Sequence, residues 1–267
     1  MNTAVARLAT FGLLLAGSFS TAYAVGQRVP GGSVGGSGSG HAHGGHAHNG
    51  AATPPASSMA GYQLTKRAES PTGMRTFVVR RTDGTNLTEF AEAHGAKLHA
   101  ILIRPDLSDF QHVHPTIESD GSFSVPNPGP GAWHVVFDFV AGDTNTSVVL
   151  ATNIDDSSVV ATVPLPAKSD SVGIATQAGT TLTVRRTGLS FSYDVPAADL
   201  EPFLGQPAHL IAIRQTDLAY LHLHPTAQKM DGMSMFDGTL QSGTYRLFLQ
   251  FGYRGQVITA EFTAVIP

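Results

Sequence analysis

The chain has 267 residues, 42% hydrophobic and 13% charged, with a formal charge of -4 from 16 basic and 20 acidic side chains. That is enough to bury one or two real cores, and the lack of any Lys or Arg run argues against a nucleic-acid partner. With no cysteine, disulfides, thiolate metal sites and cysteine nucleophiles are excluded, and the unusual ingredient is twelve histidines.

Residues 1–24 read as a signal peptide: Arg7, an apolar stretch from Leu8 to Gly17, then Ala22-Tyr23-Ala24 in the small-x-small pattern that precedes cleavage. The alternative is an uncleaved anchor, since Leu8 to Val25 approaches the length of a bilayer span. Either reading puts the bulk of the protein outside the cytoplasm. Residues 25–61 form a Gly/Ser/His-rich tether with too few apolar residues for a core. Within it, "HAHGGHAHNG" supplies His41, His43, His46 and His48, a weak and unselective metal site on a backbone that is not preorganised.

From Tyr62 onward, short runs rich in Val, Ile, Phe and Thr alternate with Gly, Pro, Asp and Asn: "TFVVRR", "KLHAILIR", "GSFSVP", "AWHVVFDF", "TSVVLA". This predicts antiparallel strands in a sandwich. "VPLPAKSD" marks a linker, after which the pattern restarts with "TLTVRRT", "AHLIAIR", "YLHLHP" and "TYRLFLQF". The halves align: at an offset of 110, "FQHVHPT" meets "YLHLHPT", His99 meets His209 and Arg104 meets Arg214; at 112, Trp133 meets Tyr245. The expectation is all-β, two tandem immunoglobulin-like sandwiches over 62–166 and 167–267.

The repeat sorts the eight histidines outside the tether. His99, His112 and His114 have partners in His209, His222 and His224, whereas Leu204 and Arg246 stand where the first copy has His94 and His134. Alternation along a strand puts His112 and His114 on one face, and Pro115 ends the pairing. A hairpin centred near Pro105 to Ser108 sets His99 opposite His112 or His114, with opposed Cβ atoms about 4.5–5.5 Å apart. Three imidazoles with an open fourth position suit Cu(II) or Zn(II), with nickel as a further candidate. The competing reading is a structural corner, the rings bonded to backbone carbonyls or to Asp106 and Asp217. Arg104 and Arg214 read as structural, His94 as a loop histidine and His134 as a surface residue.

These stretches resemble a family of exported or membrane-anchored bacterial proteins described as heavy-metal-binding or YtkA-like, with "HLI" strands followed by an Arg, an Asp-Leu and then HxHP. The similarity is carried by "LEPFLGQPAHLIAIRQTDLAYLHLHP" and "HAILIRPDLSDFQHVHP". It implies an immunoglobulin-like fold and heavy-metal handling outside the cytoplasm, with copper as the ion and a membrane metal transporter or other envelope protein as the further partner. After its HxHP the second copy adds Met230, Met233 and Met235. Met230 and Met233, beside a turn-like Asp-Gly, are secondary candidates for Cu(I), and Met235 is an ordinary core filler. No Ser-His-Asp order, phosphate loop or paired carboxylate is present, so the chain reads as a binder and not an enzyme.

Overall fold

The computed structural model describes residues 52, 56–67, 73–154, 168–177, 180–226 and 232–267. The leader, the four tether histidines, the prolines of the linker and Met230 lie outside them. The first copy runs β1 (Ser58–Met59), β2 (Tyr62–Lys66), β3 (Arg75–Arg81), β4 (Phe90–Ala91), β5 (Leu98–Ile103), β6 (Gln111–Val113), β7 (Ser122–Val125), β8 (Trp133–Ala141) and β9 (Thr146–Ile154). The second runs β10 (Val172–Gln177), β11 (Thr180–Thr187), β12 (Ser190–Tyr193), β13 (Leu200–Glu201), β14 (His209–Arg214), β15 (Tyr220–Leu223), β16 (Met233–Met235), β17 (Gly243–Tyr253) and β18 (Gln256–Ile266).

Each copy is a sandwich of two antiparallel sheets, as the strand pattern implies. In the first, β1-β2-β3-β7 faces β9-β8-β5-β6, with β4 paired to β8 beyond the end of β5. In the second, β10-β11-β12-β16 faces β18-β17-β14-β15, with β13 in the place of β4. Leu98, Ala100 and Leu102 point from β5 into the first core with Phe77, Phe123 and Phe137, and Leu210 and Ala212 do the same from β14 in the second.

The other face of β5 explains why this strand is apolar on both sides. Ile101 and Ile103 pack with Val136, Ile211, Ile213, Tyr220 and Phe248 in a third cluster that joins the two copies. Phe110 stacks on Phe248 with ring centroids 4.0 Å apart and planes 11° from parallel. Burying each such side chain contributes roughly 1.5–3 kcal/mol, so the sandwiches are docked through the sheets that carry the histidines. His134 is a correction to the surface expectation: it is buried on this same face of β8, where its Nδ1–H donates to Asn153 Oδ1 at 2.8 Å. Arg104 is structural as expected, paired with Asp109 and lying over Trp133, and Arg214 forms a two-pronged pair with Asp217.

Candidate metal centre

Turn chemistry sets the hairpins. Asp106 accepts from the backbone and hydroxyl of Ser108, and Leu107 N–H closes on Arg104 O, so the β5–β6 turn falls where the Pro and Asp residues predict it. The register pairs Ile101 with His112 and Ala100 with Val113, which carries His114 to the position facing His99. In the second copy Ile211 pairs with His222, and His224 meets His209 in the same way. The HxH pair shares one face because side chains alternate. The third histidine comes from the neighbouring strand.

The two groups have nearly the same shape. Ring centroids are 5.3, 4.9 and 4.6 Å apart for His99–His112, His99–His114 and His112–His114. The corresponding values are 5.3, 4.7 and 4.6 Å for His209–His222, His209–His224 and His222–His224. In each trio one ring nitrogen per residue lies within 4.8 Å of the others, so each trio could hold a metal ion.

Tautomers decide what faces what. His99 Nε2 lies 3.1 Å from Ala93 O and His209 Nε2 lies 2.9 Å from Phe203 O. A carbonyl only accepts, so these nitrogens carry the hydrogen and Nδ1 is left as a bare lone pair. His112 Nδ1 is 2.6 Å from Gln250 Oε1, whose amide nitrogen is taken by Thr259, and His222 Nδ1 faces Asp138 Oδ2 at 3.6 Å. Gln250 therefore puts the hydrogen of His112 on Nδ1 and leaves a lone pair on its Nε2, whereas His222 Nδ1 is buried beyond hydrogen-bond distance of Asp138. Yet His99 Nδ1 sits 3.1 Å from His112 Nε2, and His209 Nδ1 sits 3.1 Å from His222 Nε2 and 3.0 Å from His224 Nε2. In the first copy both facing nitrogens are lone pairs, which repel at that distance unless a cation lies between them. Nitrogens held about 2.0–2.1 Å from one ion are about 2.9–3.3 Å apart across square or tetrahedral edges, a spacing met by the three pairs at 3.0–3.1 Å, while the other nitrogens of each trio lie within 4.8 Å. His114 Nε2, like His222 Nδ1, is buried without a hydrogen-bond partner.

Burial keeps the rings neutral. It is the largest cause of the depressed pKa of His209 (about 4), His114 (about 3) and His224 (about 2), with repulsion among the neighbouring imidazoles adding to it. His112 and His222 are driven well below the ordinary value by burial first. Neutral imidazole is the ligand form, so no proton stands in the way of a metal at neutral pH. A cleft lined by Phe90, Lys97, His114, Thr116 and Glu118 opens beside the first group.

The groups also reach into each other. His99 and His222 have centroids 5.0 Å apart, as close as rings within one trio. The residue bonded to His112 belongs to the second copy, and the carboxylate facing His222 belongs to the first. His94, read from the sequence as a loop histidine, occupies the tip of a tight turn and stacks on His224 at 3.7 Å, so it joins the second group's surroundings. Asp106 and Asp217 are engaged by Ser108 and Arg214, while backbone carbonyls do hold His99 and His209. Met233 and Met235 lie on β16, in the sheet opposite the one bearing the histidines.

A family model described as a domain of unknown function (DUF8832) matches the chain twice, over residues 57–156 and 162–267. The chain belongs to this family. Each DUF8832 copy contributes one complete trio, and the two matches begin close to the first strand of each sandwich. No curated protein matches the chain.

Proposed function

We propose that this DUF8832 protein binds copper outside the cytoplasm, one ion per three-His group, and either sequesters it or passes it to another envelope protein such as a membrane metal transporter. The observation that carries the reading is the convergence of three histidine rings in each copy, with ring nitrogens at 3.0–3.1 Å in both. An all-imidazole donor set accepts Cu(II), Cu(I), Zn(II) and Ni(II). The preference for copper rests on the resemblance to heavy-metal-binding envelope proteins, and the location rests on the leader. Binding, not catalysis, is favoured because the carboxylate beside the cluster, Asp138, is engaged by Tyr220 and faces His222, which leaves it poorly placed to act as a general base.

The test is elemental analysis of untagged protein carrying serine at His41, His43, His46 and His48, so that the tether contributes nothing. Two equivalents are expected, falling to one with His112→Ala/His114→Ala or His222→Ala/His224→Ala. A second reading, a non-catalytic interaction module with structural HxHP corners, is favoured by the bonds from His99 and His209 to turn carbonyls. Absence of metal after exposure to copper, with folding intact, would select it.

A further inference from the structure

Among the positions where the two copies differ, one pair lies directly across the sheet from His99 and His209. Asp138 on β8 and Gln250 on β17 are the residues directly opposite His99 and His209 across the sheet. Each lies across the boundary between the sandwiches from the partner copy's HxH histidine: Gln250 Oε1 accepts from His112 Nδ1–H at 2.6 Å, and Asp138 Oδ2 stands 3.6 Å from His222 Nδ1, at ion-pair rather than hydrogen-bond distance. Asp138 is 3% exposed, and the Tyr220 hydroxyl donates to its Oδ2 at 3.2 Å. The first copy has Phe110 where the second has Tyr220, and Phe110 has no hydroxyl to offer.

We propose that the two trios form one interlocked two-metal centre in which Asp138, acting from the first copy, makes His209, His222 and His224 the group that takes a divalent ion first. This deepens the metal-binding reading and rests on it. A carboxylate behind a ligating imidazole fixes its tautomer, raises its basicity and brings a negative charge near the ion; a neutral amide fixes the tautomer only. In a buried setting the charge counts for more than it would in water. The contrast between groups should therefore be large for Zn2+ or Cu2+ and small for Cu+, whose single charge gains less from the carboxylate.

The experiment is competition titration of the full chain, tether histidines replaced by serine, with Zn2+ and separately with Cu+. Wild type should take two Zn2+ in steps at least tenfold apart. His114→Ala should leave the tighter step and His224→Ala the weaker. Asp138→Asn, nearly isosteric, should weaken the tighter Zn2+ step by roughly 10–100-fold while changing Cu+ affinity far less, a charge-selective loss that general misfolding does not produce. Gln250→Glu should strengthen the first group for Zn2+, a gain that keeps the test open should Asp138→Asn fold poorly. Two Zn2+ bound with equal affinity, unmoved by either substitution, overturns the proposal and leaves metal binding standing. Failure to bind any ion overturns both.

Discussion

At the scale of the residue, the histidines couple metal readiness to acid sensitivity. In the unfolded chain their imidazoles take protons near 6.5, whereas folded His209 resists protonation to about 4, His114 to about 3 and His224 to about 2. Between those values the unfolded state holds more protons, so stability is fully present above about pH 6.5 and declines as pH falls towards the folded values. His209, with no exposed surface, should alone account for about 2 kcal/mol by pH 5. Urea midpoints of the metal-free protein should fall from pH 7.5 to pH 5, and His209→Phe should flatten that dependence; equal midpoints would show the imidazoles to be ordinary. The three-His groups are legible in the sequence because both copies repeat them. Asp138 and Gln250 are not, since unlike residues at matched positions leave no repeat and their partners lie 84 and 138 residues away. His94 escapes for a related reason: lacking a counterpart, it resembles loop decoration until the fold stacks it on His224.

At the scale of the element, a pair of tight turns sets how closely the copies approach. In one, Ala93 and Ala96 exchange backbone hydrogen bonds around His94-Gly95; in the other, Phe203 and Gln206 do so around Leu204-Gly205. All four central residues have positive φ, as this hairpin turn requires. The glycines differ in what surrounds them. A Cβ on Gly95 would lie 2.4 Å from Leu204 O, whereas one on Gly205 would meet nothing within 4 Å. Gly205→Ala should cost about 1–2 kcal/mol for the left-handed backbone alone, and Gly95→Ala a further 1–3 kcal/mol for the collision. Gly95→Ala should also weaken metal binding, because the same turn supplies the carbonyl that fixes His99. Parallel urea and Zn2+ titrations check both; equal stability losses would mean that the turns do not press on each other. The hairpin register is readable from turn residues and alternation, but the contact between turns belongs to tertiary structure.

At the scale of the molecule, the interface between sandwiches should matter to ions it does not touch. Phe248, fully buried and stacked on Phe110, carries no ligand atom. Phe248→Ala should cost roughly 3–5 kcal/mol and lower affinity at both trios, since each borrows a positioning residue across that interface. Chelator competition at temperatures where the variant stays folded measures it, and unchanged affinity would show that each sandwich holds its ion alone. The two-sandwich architecture is legible from strand spacing and internal repetition. Docking is only hinted at, by apolar residues on both faces of "KLHAILIR", a pattern that a central strand in a single sandwich produces equally well.

The crossed pairing of His112 with Gln250 and His222 with Asp138 has the form of an isologous contact, in which patch i meets j and j meets i. Two identical chains could build the same contact, but every substitution would then appear on both sides of the dyad. Joining the copies in one polypeptide removes that constraint. It also replaces an association that depends on protein concentration with an intramolecular one, at effective concentrations in the millimolar range for short linkers. Aspartate on one side and glutamine on the other is an asymmetry that a homodimer cannot encode, so the duplication lets the two three-His groups be supported differently.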